Sequence, residues 1–251
     1  MTQKGDAARV LRRFFVAPAV LDREPVTFAP REAHHIARVL RLRAGTHIVV
    51  FDGAREAEAE LVTTEGETVT ARRLQTPCAS RRPVEITLLQ GLPRGPKMDR
   101  IVRMGTEVGL AVIAPVLTAR ALPDAGATRV ERWRKIAQEA ARQCGRGDVP
   151  EIRVPAPLEA VLATMGPVDV FVVPWEEEAR AIGEMIVGCA FTTAAVLIGP
   201  EGGLTANDVA CARNAGGETV SLGPLILRTE TAGAVTAAML FYERLLRTGR
   251  D

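Results

Sequence analysis

Lysine is nearly missing from this chain. Lys4, Lys97 and Lys135 are three of its 32 basic residues, and the rest are arginine. Its cations are therefore almost all planar, forked donors of the kind that suits phosphate. Aromatic side chains are also scarce, with one Tyr and two Trp beside seven Phe. That excludes a stacking platform of the sort that holds splayed bases on an RNA-recognition sheet. Cys78, Cys144, Cys189 and Cys211 lie far apart with no C-x-x-C, and His34, His35 and His47 show no ligand spacing. The cysteines read as reduced and structural, and no metal is expected. No apolar run approaches the roughly 20 residues of a membrane span. "FFVAPAVL" after Arg12-Arg13 superficially resembles a signal peptide, but its apolar run is short, holds Pro18 and stops at Asp22. A strand is the expectation there, in a cytoplasmic protein. Neither G-x-x-x-x-G-K-[ST] nor G-x-G-x-x-G occurs, which disfavours a phosphate cradle and, with it, a nucleotide hydrolase.

What is present is an ordinary globular composition, 47% hydrophobic and 25% charged, over 251 residues. That is enough for one large or two small domains. The net charge of +2 is small but unevenly spread: residues 1–43 carry 9 basic and 4 acidic side chains. A basic segment of this kind suits either nucleic acid or a solvated face.

The pattern changes along the chain. Segments 10–16, 46–53, 56–64 and 67–74 are short and strand-like, with one helix at 30–42 opened by Pro30. Arg31, His34, Arg38 and Arg41 fall at helical spacing on its polar face. This front part, 1–76, reads as a small β-barrel domain, and 77–83, polar with Pro77 and Pro83, as a linker. From 84 to 251, strands at 84–90, 111–117, 168–173, 194–199 and 218–223 alternate with helices at 97–109, 129–145, 177–187, 205–215 and 229–247. Alternation of that kind implies a mostly parallel sheet covered on both faces.

In such sheets ligands bind beyond the carboxyl ends of the strands. Three ends are suggestive: "VVPWEE" (172–177), "IGPEGG" (198–203) and "SLGPLILRTETA" (221–232). Their Gly-Pro pairs fit plain turns. They also fit backbone groups around Gly199, Gly202, Gly203 and Gly223 that hold a purine and a ribose.

"IGPEGGLTANDV" followed by "SLGPLILRTETAGA" resembles the signature of the ribosomal RNA small-subunit methyltransferase E family, of the SPOUT class. "RRFFV", "HHIARVLRLRAGTHIVVFDG", "LLQGLPRGPKMDRIVRMGTEVGLAVIAPVLTAR" and "RWRKIAQEAARQCGRGDVPEI" agree in order, so the likeness runs from about residue 10 to 245. Two departures stand out. Met104 lies where the family often has Lys, and "TARA" (118–121) where it often has Ser-Glu-Arg-Ser.

The resemblance implies an α/β fold of the SPOUT type with a C-terminal trefoil knot, behind a PUA-like RNA-binding barrel. It implies S-adenosylmethionine as cofactor, N3 of a uridine in 16S rRNA as target, and a homodimer with its site at the subunit interface. Pro174, Ile198, Gly199, Pro200, Glu201, Gly202, Gly203, Leu222, Gly223, Leu227, Thr229 and Ala232 are the expected cofactor residues. Leu222 and Leu227 would otherwise be plain core, and Glu201 a carboxylate at a helix N-terminus. Arg228 is expected to bind the target nucleotide and Glu230 to take the N3 proton, unless the two simply pair with each other. Arg12, Arg13, Arg38, Arg41 and Arg43 are the expected RNA contacts of the front domain. Rival readings are a SPOUT enzyme for another position such as ribose 2′-oxygen, and an RNA-binding protein that kept a vestigial knot.

Overall fold

The structure is a computed structural model. It describes residues 11–64, 68–79, 84–120 and 127–248. Of the expected linker, residues 80–83 lie outside the described residues, as do Val10, Glu67 and Ala121 of other expected segments. The chain forms two compact units, residues 1–81 with 141–149, and residues 82–140 with 150–251.

In the first unit, β1 (Arg12–Phe15) leads through a short α1 (Pro18–Leu21) to β2 (Val26–Thr27) and α2 (Pro30–His34). Strands β3 (His47–Phe51), β4 (Arg55–Thr63), β5 (Thr70–Arg73) and β6 (Cys78–Ala79) follow. The sheet order is β1-β3-β4-β5-β2, with β6 on β4, and only the β1–β3 pair is parallel. Ala57, Ala59 and Leu61 of β4 are buried while Glu58 and Val62 are exposed, the two-residue alternation of a sheet with one wet face. They pack with Phe14, Leu21, Ile36 and Ile48 in one apolar core.

The helix expected over 30–42 is broken. After α2 the backbone widens into a π-helical turn, His35–Val39. It closes with the Leu40 N–H on His35 O at 2.9 Å and the Leu42 N–H on Ile36 O at 3.0 Å. Arg41 stands beyond it at φ 50°, so the even helical spacing of Arg31, Arg38 and Arg41 does not hold. "APAVL" forms α1 rather than continuing a strand, because Pro18 fits a first helical turn.

The second unit opens with β7 (Glu85–Gly91), α3 (Lys97–Val108) and β8 (Val112–Leu117). The long α4 (Ala127–Cys144) then leads to β9 (Glu151–Ile152), β10 (Ala156–Pro157) and α5 (Leu158–Thr164). The rest is β11 (Val170–Pro174), α6 (Ile182–Ile186), β12 (Thr193–Ile198), α7 (Ala206–Asn214), β13 (Glu218–Val220) and α8 (Thr229–Thr248). The sheet runs β10-β8-β7-β12-β11-β13, with β9 on β8, and every pair is parallel. Ala194 to Ile198 of β12 are all buried, as expected for a central strand covered on both faces.

Local rules place the helices around this sheet. Met98, Ile101, Val102, Gly105 and Thr106 form the buried face of α3, which Gly109 ends in a left-handed turn. Thr205 caps α7 reciprocally with Asp208, its N–H on Asp208 Oδ2 at 2.8 Å. Helix α8 packs its small residues on the sheet: a Cβ added to Gly233 would lie 3.1 Å from Leu88 Cδ1. The helix expected at 177–187 shrinks to α6 because residues 180–182 pair as extended chain with Ser221. Ser221 N–H donates to Arg180 O at 2.7 Å, and Ile182 N–H to Ser221 O at 3.0 Å. The same pairing ends β13 at Val220. Helix α5, absent from the sequence reading, buries Leu158 and Val161.

Candidate active site

Parallel pairing brings the carboxyl ends of β7, β12, β11 and β13 to one edge of the second unit. Residues Ile198 of β12 and Gln90 of β7 stand opposite each other there, as do Pro174 of β11 and Val220 of β13. A cleft of about 730 Å³ opens at this edge, within the size range of small-molecule sites. Two loops form its walls, Gly199–Leu204 after β12 and Ser221–Arg228 before α8. Pro174, Trp175 and Glu176 close a third side.

Backbone proximity explains the glycines of the first loop. A Cβ on Gly199 would lie 2.8 Å from the Gly203 carbonyl carbon and 2.9 Å from Leu204 N, so no side chain fits between the two arms of the turn. Gly203 closes that turn, its N–H on Pro200 O at 2.9 Å, at φ 74° where L side chains are strained. A Cβ there would also come within 2.8 Å of Glu176 Oε1.

Buried polar bonds fix this loop to its neighbours. The Thr229 hydroxyl donates to Gly199 O at 2.6 Å, and Gln90 Nε2 donates to Thr229 Oγ1 at 2.9 Å and to Gly91 O at 3.1 Å. Glu201 accepts from Lys97 Nζ at 2.7 Å and from the Arg94 N–H at 3.0 Å. Burial pushes the Glu201 carboxyl up, but the Lys97 hydrogen bond, with the backbone N–H groups and the Lys97 charge, outweighs it and holds the group below its usual range.

All of the expected cofactor residues line the cleft: Pro174, Ile198, Gly199, Pro200, Glu201, Gly202, Gly203, Leu222, Gly223, Leu227, Thr229 and Ala232. So do Arg228 and Glu230. Leu222 and Leu227 are half-buried in the cleft wall. Arg228 is exposed and has no ion-pair partner among the described residues. Glu230 is 7% exposed and lies 3.9 Å from Arg100 Nη1, so the pairing of Arg228 with Glu230 that the sequence left open is not formed. Lys97, Trp175 and Glu176 also line the cleft. Their signals were legible: "PWEE" follows a strand end, and Lys97 is one of only three lysines.

The front-unit arginines are placed differently. Arg12, Arg38, Arg41 and Arg43 are exposed. Arg13 is not free: it pairs with Glu56 and lies over the Phe51 ring, 5.8 Å from its centroid.

Comparison with known proteins agrees with this architecture. An RNA methyltransferase domain family matches residues 80–241, and an RNA methyltransferase PUA domain family matches residues 28–72. Ribosomal RNA small subunit methyltransferase E of Bacillus subtilis is 32% identical over 95% of this chain and 99% of its own length. The chain belongs to the ribosomal RNA small subunit methyltransferase E family. A crystal structure of the Neisseria gonorrhoeae member, bound to S-adenosyl methionine, is 28% identical and covers 92% of this chain and 96% of its own, with a TM-score of 0.78. A putative methyltransferase from Legionella pneumophila, in complex with the same cofactor, is 25% identical with a TM-score of 0.75, covering 92% and 96%. The fold class expected from the motifs, α/β of the SPOUT type behind a PUA-like domain, is the fold found.

The cleft fits that cofactor on its own evidence. A Cβ added to Gly223, at φ 121°, would meet no atom within 4 Å, so the second loop leaves open space in front of its backbone. Glu176, exposed in the wall, presents a carboxylate to the cleft.

Proposed function

We propose that this protein uses S-adenosylmethionine to methylate N3 of a uridine in 16S rRNA, acting on the assembled small subunit. The observation that carries the reading is the cleft itself. It joins the GPEGG loop, the loop 221–228 and an unpaired Arg228 at one edge of a parallel sheet. The names of its relatives supply the RNA, and the structures with bound cofactor supply the methyl donor.

The geometry supports these roles. The backbone of Gly199, Gly202, Gly203 and Gly223 and the side chains of Leu222, Leu227 and Ala232 hold the cofactor, whose sulfonium supplies an activated methyl group. Pro174, Ile198, Pro200, Glu201 and Thr229 shape the same wall. Arg228, exposed at the lip, binds the target nucleotide and stabilises negative charge on the base. Glu230 accepts the N3 proton. Arg100 Nη1 lies 3.9 Å from its Oε1. The remainder of the rate comes from holding N3 in line with the methyl group.

In this reading residues 1–76 form the RNA-binding domain and 84–251 the methyltransferase domain, knotted near its C-terminus, except that β6 of the expected linker 77–83 and residues 141–149 belong to the first unit. Arg12, Arg38, Arg41 and Arg43 contact RNA, and Arg13 contributes less because Glu56 holds it. The protein works in the cytoplasm, without a metal, as a homodimer. For the dimer the support lies on the outer surface of α8, where Tyr242 and Leu245 are exposed, and at Leu225 and Ile226. The small residues Gly233 and Ala237 are instead buried within the chain.

Mapping modified nucleosides in small-subunit RNA from a deletion strain tests the reaction. Loss of one N3-methyluridine, restored by the gene, is expected. A modification lost at a ribose 2′-oxygen would overturn the reading.

A further inference from the structure

The ground just outside the cleft is basic. Arg94, Arg100 and Arg120 are exposed and none of them lines the cleft. Each is nevertheless tied to a residue that does. The Arg94 N–H donates to Glu201 at 3.0 Å, Arg100 Nη1 lies 3.9 Å from Glu230 Oε1, and Arg120 Nη1 donates to Gly202 O. They come from the loop after β7, from α3 and from the segment after β8, so three parts of the chain converge on one opening. Arg228, on the lip, is a fourth guanidinium.

Among the described residues two of these charges, those of Arg94 and Arg120, face no carboxylate, and Arg100 has only a loose one in Glu230. Lys97 is neutralised by Glu201 at 2.7 Å. Arg94 is held through its backbone, and its guanidinium faces no carboxylate among the described residues. Arg120 bonds a neutral carbonyl and keeps its full charge. Arg100 is 67% exposed and beyond hydrogen-bond distance of Glu230. Elsewhere on this unit arginines at or near the surface commonly face carboxylates, as Arg132 does Asp99, Arg134 Glu131, Arg153 Glu151 and Arg180 Glu218. The rim departs from that habit where the cleft opens.

We propose that Arg94, Arg100 and Arg120 hold the phosphates flanking the target nucleotide, so that the catalytic unit itself grips the strand. The inference rests on the function proposed above. A polynucleotide that delivers one base into a cleft leaves the neighbouring phosphates at its lip, and exposed guanidinium forks match phosphate oxygens there. Base contacts are not needed at this rim. It positions the strand, and the cleft selects the base.

The test uses the full-length protein and its Arg94→Gln/Arg100→Gln double variant, with Arg153→Gln as a control on the same unit. Binding to a 16S rRNA fragment is measured across a potassium chloride series, and S-adenosylmethionine binding by calorimetry. The double variant is expected to bind cofactor as the wild type does. Its plot of log affinity against log salt is expected to be shallower by about 1.4, roughly 0.7 for each lost contact to a single strand. Arg153→Gln is expected to follow the wild type. An unchanged slope in the double variant, or an equal loss in Arg153→Gln, overturns the proposal. If the wild type methylates small-subunit RNA while the slope stays unchanged, the rim fails and the reaction stands. If the slope falls but the wild type methylates no such RNA, the reaction fails and the rim stands.

Discussion

Lys97 Nζ lies 2.7 Å from Glu201 Oε1, so the first turn of α3 clasps the loop that forms one wall of the cleft. The pair is partly exposed, with 39% and 29% of the two side chains accessible, which limits its worth to about 1 kcal/mol. Lys97→Met is therefore expected to weaken S-adenosylmethionine binding by roughly fivefold, the equivalent of that energy, with little change in melting temperature. The Glu201 carboxyl is held below its usual range, so the clasp is complete above the ordinary carboxylate pKa and is lost as pH falls through the lower, folded value. Calorimetry at a series of acidic pH values should show wild-type affinity converging on that of Lys97→Met. Parallel curves would dissociate the clasp from binding.

Gly203→Val and Arg228→Ala should separate the two halves of the site. Valine at position 203 is strained at φ 74° and drives a Cβ to 2.8 Å from Glu176 Oε1, so cofactor binding should be abolished. Arg228→Ala should keep that binding and the melting temperature, because no ion pair among the described residues is broken. Its loss should fall on kcat, by roughly 10²–10³-fold, as for other donors to developing negative charge. Single-turnover methylation on the two variants decides. An Arg228→Ala protein that loses cofactor as badly as Gly203→Val refutes the division.

Glu230→Gln keeps the shape of the buried side chain and removes its ability to accept a proton. Methyl transfer should fall by roughly 10²–10⁴-fold, the usual contribution of a positioned base, with cofactor affinity retained. Undiminished turnover would send the search for the base elsewhere.

Asp169 precedes β11 and accepts from the Thr192 and Thr193 N–H groups at 2.8 and 2.9 Å. Those two backbone bonds, with the threonine hydroxyls, lower its pKa from 3.8 to about 2. The sign is that of a depressed acid: its stabilising effect is full above pH 3.8 and disappears as pH falls towards about 2. Asp169→Asn should flatten the stability curve in that window, as followed by urea titration at each pH. An identical curve would remove Asp169 from the acid response.

Tyr242→Glu with Leu245→Glu places charge on the exposed surface of α8. A dimer that closes there should become monomeric by sedimentation at micromolar concentration, with methyl transfer lost and the fold retained. An unchanged mass moves the interface away from α8.

Much of this was legible because local rules and tertiary packing agreed. Thr205 with Asp208, and Gly109 after α3, marked helix ends through caps whose chemistry is local. The two loop motifs located the cleft since both follow strand ends. What escaped depended on distant partners. Nothing in "EEEARAIGEM" foretells that Ser221, far along the chain, holds residues 180–182 extended. The π-helical turn at His35–Val39 likewise has no signature in the hydrophobic pattern. Nor does the sequence show that Arg13 pairs with Glu56, on another strand. Among the glycines, no local pattern distinguishes Gly199, required by its own loop, from Gly223, which faces open space.

The bond from the Thr229 hydroxyl to Gly199 O has a consequence for how such a site can change. Thr229 stands between Arg228 and Glu230, and the same hydroxyl that pins the cofactor loop also accepts from buried Gln90. Any substitution that re-shapes the loop at Gly199 tugs the start of α8 and re-aims both flanking residues with it. In the proposed function, cofactor preference and target chemistry are thus geared together. Variants that accept a bulkier methyl-donor analogue should need a compensating change at Thr229 or Gln90 before they transfer efficiently.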